Sequence, residues 1–84
     1  MAGTAPGADV VLYTRKGCHL CDEAKQQIER ARAQADFLLE IIDIDSDPEL
    51  HDKFNEQVPV IFIDGRKALK FRVDAKDLLR RLKR

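Results

Sequence analysis

Apolar residues in this chain fall into short blocks whose spacing switches between strand-like and helix-like. Val10-Val11-Leu12-Tyr13 is a β-rich block, and Gly17 lies just beyond it. From there Cys21, Ala24, Ile28, Ala31 and Ala35 recur every three or four residues, the period of one helix face. Phe37-Leu38-Leu39-Glu40-Ile41-Ile42 reads as a second strand, and its near-continuous apolarity predicts burial on both faces. Ser46-Asp47-Pro48-Glu49 combines an N-cap candidate, an early proline and a capping-box glutamate, opening a helix that carries Leu50 and Phe54. Val58–Ile63 is a third strand, and Asp64-Gly65 is a hairpin signal leading to a fourth around Lys67–Phe71. Asp74, with Asp77 three positions on, starts a last helix with Leu78, Leu79 and Leu82 on its inner face. The predicted order is βαβαββα.

A first strand pair joined by a crossover helix should be parallel, and a later hairpin antiparallel. The expected fold class is therefore α/β: a mixed four-stranded sheet flanked by helices. In such sheets ligands gather beyond the carboxyl end of a strand, where a helix begins. Cys18-His19-Leu20-Cys21 occupies that junction after the first strand, and these are the only two cysteines among 84 residues.

The placement has chemical consequences. The first turn of a helix leaves amide N–H groups unpaired and adds partial positive charge. A Cys18 thiolate at that turn can accept those donors, and Arg15 and Lys16 bring further positive charge. Such surroundings lower a thiol from about 8.5 into a range of roughly 3.5–7.5. Cys21 lies one turn later on the stripe of Ile28, so it should point inward. An exposed attacker and a sheltered resolver are what disulfide exchange needs. Residues three apart on a helix have Cβ atoms about 5–6 Å apart, against about 3.8 Å in a disulfide. Non-helical dihedrals at Cys18 would close that gap, and Gly17 supplies latitude just before it.

Other readings of the pair are weaker. Zinc takes four ligands, and the chain has no second cysteine pair; no metal site is expected. Two inert core cysteines would not need a basic, glycine-preceded helix start. A purely stabilising disulfide would close too short a loop to add much.

Composition fits a small intracellular domain: 44% apolar residues suffice for one core, and 36% charged residues give a soluble surface. Fifteen basic residues balance fifteen acidic ones, so no net field points to nucleic acid or an anionic membrane. Residues 1–8 lack the basic and apolar regions of a signal peptide and read as a flexible tail, leaving 9–84 as the domain. No apolar stretch is long enough to span a bilayer. Asp43-Ile44-Asp45-Ser46-Asp47 imitates a calcium loop, but Pro48 and Phe54 stand where glycine and glutamate are required. Those acids are expected to cap a helix and solvate a turn. His51 reads as a surface residue, and His19 either tunes Cys18 or stands free in solvent. Tyr13, Phe37, Phe54, Phe62 and Phe71 are assigned to the core.

Taken with Leu12-Tyr13-Thr14, the Asp43-Ile44-Asp45 strand end, Val58-Pro59-Val60 and Asp64-Gly65, the cysteine motif resembles the thioredoxin-fold superfamily, and more narrowly the short glutaredoxin-like proteins. The resemblance implies a three-layer thioredoxin-like fold, a nucleophilic Cys18, a resolving Cys21 and a cis peptide before Pro59 facing the cysteines. It also implies that an extended substrate segment pairs with the backbone beside that proline. The expected substrate contacts are Arg15, Lys16, His19, Leu20, Val58 and Pro59. The function so implied is thiol–disulfide oxidoreductase, a cytoplasmic monomer acting on protein or low-molecular-weight disulfides and recharged by an upstream reductant. Two alternatives are a non-catalytic binding module of the same fold and a glutathione-dependent iron–sulfur carrier. The glutaredoxin pattern has a Gly-Gly pair after the fourth strand that holds the glutathione carboxylate. Here that stretch is Lys70-Phe71-Arg72-Val73-Asp74. No tightly bound cofactor is therefore expected; glutathione should bind weakly, with Arg72 as its remaining carboxylate partner.

Overall fold

The computed structural model describes residues 8–82, and its elements follow the predicted order: β1 (Asp9–Thr14), α1 (His19–Arg32), β2 (Leu38–Asp43), a 3₁₀ turn (Ile44–Ser46), α2 (Pro48–Phe54), β3 (Val60–Ile63), β4 (Arg66–Lys70) and α3 (Ala75–Leu82). The four strands form one sheet in the order β2-β1-β3-β4. β1 runs parallel to β2, with Leu12 opposite Ile41, and antiparallel to β3, with Leu12 opposite Ile61. β3 and β4 form the expected hairpin. Its two central residues, Asp64 and Gly65, both have positive φ (52° and 84°), as a type I′ turn demands.

Alternation along the central strands divides the side chains between two layers. Val10, Leu12, Ile61 and Ile63 pack with Ala24, Ile28 and Ala31 of α1 and Leu78 of α3. On the opposite face Val60 joins Ile44 and Phe54, with Tyr13, Phe62, Leu50 and Val58 half-buried against them. Tyr13 stacks on Phe54 at 4.7 Å between ring centroids, and Phe62 meets both edge-on. Offset and edge-to-face pairs of this kind add about 0.5–1.5 kcal/mol each beyond area burial. The sheet with helices on both faces is the three-layer fold.

Three local expectations are corrected. β2 is not buried on both faces: Leu38 and Ile41 are 56% and 47% exposed. It is an edge strand, and both packed clusters centre on β1 and β3, so an apolar run on β2 meets solvent. Phe71 leaves the core and is 42% exposed. Ser46 is not the cap of α2. Its hydroxyl donates to the Asp43 carbonyl (2.6 Å), and Asp47 instead caps the helix by accepting from the Glu49 N–H (2.9 Å), with Pro48 in the first turn. Asp43 likewise accepts from the Asp45 N–H, so these acids serve the turn as expected. Of the tail expected over 1–8, residues 1–7 lie outside the described residues. Ala8 is buried, and its carbonyl accepts from the Leu38 N–H. On α3, Arg80 and Arg81 pair with Asp77; the basic residues that follow, Lys83 and Arg84, lie outside the described residues. No helix among the described residues is long and apolar enough to cross a membrane.

Candidate redox site

The site begins where β1 hands over to α1. Gly17 turns the chain with φ 76°, a conformation that costs a residue with a Cβ about 1–2 kcal/mol. Cys18 follows as the N-cap of α1 in extended conformation (φ −95°, ψ 110°). Its Sγ accepts a hydrogen bond from the Cys21 N–H at 3.1 Å, and its carbonyl accepts from the Asp22 N–H at 3.2 Å. Cys18 thus uses one of the otherwise unpaired first-turn donors as Ser or Asp would at an ordinary cap. Its extended dihedrals bring the two Cα atoms to 5.1 Å, and the sulfurs are disulfide-bonded. The halves of this disulfide are unequal: Cys21 is 1% exposed, whereas Cys18 is only half-buried.

Pro59 enters from the other side. Tyr13 pairs with Val60, so the residue before Val60 arrives at the carboxyl end of β1, from which Cys18 follows. Pro59 is fully buried and the Val58–Pro59 peptide is cis, as the resemblance implies. The Pro59 carbonyl accepts from the Phe71 N–H at 2.8 Å, tying the end of β4 to this segment.

A groove of about 570 Å³ opens between α1 and the segment linking β4 to α3; Leu20, Glu23, Gln27, Phe71, Arg72 and Asp74 are among its lining residues. Several backbone donors along this segment are engaged. Beyond the Phe71 bond, the Arg72 N–H goes to the Lys70 carbonyl (2.9 Å). The Ala75 N–H, first in α3, goes to the Gln27 Oε1 (3.0 Å). Phe71 is held at φ 69°, a left-handed conformation rare for a bulky residue.

The residues expected to meet substrate are spread more widely than the motif suggests. Only Leu20 lines this groove. Arg15 and Lys16 line a separate crevice of about 410 Å³ with Gly17, Asp22 and Lys25. Arg15 does not bring a free charge toward Cys18: its guanidinium bonds Asp45 (3.2 Å) and Asn55 (2.7 Å), because the end of β1 lies against the turn and helix that carry them. His19 is highly exposed, with Nε2 3.1 Å from Glu23, one turn along α1. His51 is half-buried, 3.8 Å from Asp45. Val58 packs against the Ile44–Phe54–Val60 cluster. Sequence reasoning missed Gln27 as a cap for α3 and Glu23 as a groove wall. Neither has a local signal, since each role depends on a partner far along the chain or on the packing of α1.

A family model described as a glutaredoxin-like domain (DUF836) matches residues 9–83. The chain belongs to this glutaredoxin-like family. A glutaredoxin-like protein of Dictyostelium discoideum, the YDR286C homolog, is 36% identical over 72 residues, covering 79% of this chain and 67% of that protein. Among solved structures, XcR50 from X. campestris is 38% identical with a TM-score of 0.69, covering 87% of this chain and 93% of that one. Thioredoxin-2 of the malaria parasite is only 18% identical yet reaches a TM-score of 0.73 over 99% of this chain and 87% of its own, a likeness of fold. This glutaredoxin-like chain therefore joins a thioredoxin-like fold to a Cys-x-x-Cys pair within bonding distance, an arrangement suited to redox chemistry.

Proposed function

We propose that this protein is a dithiol–disulfide oxidoreductase in which Cys18 attacks and Cys21 resolves. The observation that carries the reading is the inequality of the pair. The Cys18 sulfur sits at the helix cap, half-exposed and accepting an amide N–H, while Cys21 is buried beneath it. In the reduced protein the same amide and the helix dipole favour a thiolate at Cys18.

The Cys18 thiolate attacks one sulfur of a substrate disulfide. That S–S bond breaks, its electron pair leaves on the second substrate sulfur, and this sulfur takes up a proton. Cys21 then gives up its own proton and attacks the Cys18 Sγ. The intramolecular disulfide forms, and the first substrate sulfur departs as a thiol. Two electrons have passed to the substrate, and an upstream dithiol reductant returns them. Protein or low-molecular-weight disulfides are the substrates, the protein acts as a monomer, and a thiol-reducing compartment such as the cytoplasm suits a donor of this kind. Glutathione is at most a weak ligand, because Phe71 and Arg72 stand where a close backbone approach would require small residues.

Trapping tests this. Reduced Cys21→Ser protein, mixed with an excess of a small disulfide, should accumulate a mixed disulfide on Cys18 that intact-mass measurement detects. Cys18→Ser protein should accumulate far less. Equal trapping by the two variants would remove the assignment of roles.

A further inference from the structure

The groove beside the motif is built for one kind of neighbour to the reacting sulfur. We infer that it selects protein disulfides in which an apolar side chain adjoins the cysteine and a basic residue lies close by, with Leu20 and Phe71 as the specificity-determining residues. The inference rests on the exchange reading above and adds the substrate class.

Three observations lead there. Leu20, inside the cysteine motif, and Phe71, across the groove, are the large apolar side chains of a lining otherwise rich in polar groups. Phe71 is 42% exposed and sits at φ 69°. A large aromatic kept in solvent at a disfavoured dihedral is the kind of strain found at binding sites, where ligand contact offsets the cost. Second, three backbone donors of the segment beside the groove are already taken. The Phe71, Arg72 and Ala75 N–H groups are bound to Pro59, Lys70 and Gln27, so the Gln27 amide takes the first N–H of α3. Third, the charged lining residues are two acids, Glu23 and Asp74, against one base, Arg72. That balance favours a cationic neighbour over an anionic one. An extended peptide passing Cys18 can place an apolar side chain between Leu20 and Phe71 and a Lys or Arg beside Glu23 and Asp74.

The test uses short peptides with one cysteine joined to thionitrobenzoate as a mixed disulfide. Attack of Cys18 on the peptide sulfur releases coloured thionitrobenzoate, and Cys21 then frees the peptide thiol. Two peptides differ only beside the cysteine, Leu-Cys-Arg against Asp-Cys-Glu, and the thionitrobenzoate dimer serves as a probe without a peptide. The reduced wild-type protein should react with the first peptide at least about tenfold faster than with the second, the discrimination one apolar contact typically supplies. In Phe71→Gly and in Leu20→Ala the ratio between peptides should fall to about threefold or less. A ratio cancels any general change in exchange rate, and glycine suits the positive φ, so folding is not at risk. Equal wild-type rates for the two peptides would overturn the groove assignment while leaving exchange intact. An undiminished ratio in both variants would overturn the roles of Leu20 and Phe71. Failure to react with any of the three probes would overturn the exchange reading, and this inference with it.

Discussion

Two helices on the same face of the sheet begin in contrasting ways. α1 is capped by the sulfur of Cys18, and the first amide of α3 is satisfied by the side chain of Gln27, which itself belongs to α1. The electrostatics at the two starts are alike: unpaired N–H groups and the positive end of a dipole. What differs is the acceptor. Sulfur can lose a proton, take up negative charge and form covalent bonds, so the cap of α1 is chemically suited to serve as a reaction centre. A carboxamide stays neutral, so the cap of α3 becomes a plug. A helix start turns functional only when the group placed there can change its own state.

The largest effect that can break this contrast is in thiol reactivity. Limiting iodoacetamide on the reduced protein near neutral pH should label Cys18 at least about tenfold faster than Cys21, because only Cys18 combines exposure with a donor at its sulfur. Peptide mapping reads the ratio directly, and preferential labelling of Cys21 would reverse the roles.

At the other helix, Gln27→Ala removes the acceptor and leaves the N–H of buried Ala75 without its protein partner. A loss of about 1–2 kcal/mol is expected, at the scale of a lost helix cap. In a domain of this size each kcal/mol corresponds to a drop in Tm of roughly 4–8 °C. An unchanged melting curve would mean that Gln27 merely rests against α3.

The smallest effect runs in the opposite direction. Phe71→Gly should stabilise the fold by about 1 kcal/mol, since φ 69° costs a residue with a Cβ about that much and glycine nothing. Glycine's greater freedom in the unfolded chain offsets part of that gain. Urea unfolding reads the difference, and a loss of more than about 1 kcal/mol would show that the exposed ring packs more than its accessibility suggests.

Much of this architecture was legible in the sequence because it is local. The strand–glycine–cysteine–helix junction, the Asp64-Gly65 turn and the leucine stripe of α3 each announce themselves within a few residues, and all three stand. The cis peptide before Pro59 came from family resemblance, not from local preference. What stayed hidden depends on neighbours distant in sequence. A run such as Leu38–Ile42 has the same pattern in a central strand as at an edge, and only the strand order decides. Phe71 was assigned to the core by residue type, yet it stands exposed at φ 69° with its N–H bound to Pro59, a hairpin away in sequence. Arg15 appeared free to act on Cys18 because its partners, Asp45 and Asn55, lie 30 and 40 positions away.

The near-complete burial of Cys21 limits how the protein can be used. With only one sulfur of the pair within reach, any oxidant or reductant of the proposed exchange would have to meet Cys18. They cannot do so together. On the exchange proposed above, donor and acceptor would take turns on a single surface in ping-pong fashion, and a high concentration of either one would slow the cycle by occupying the place the other needs.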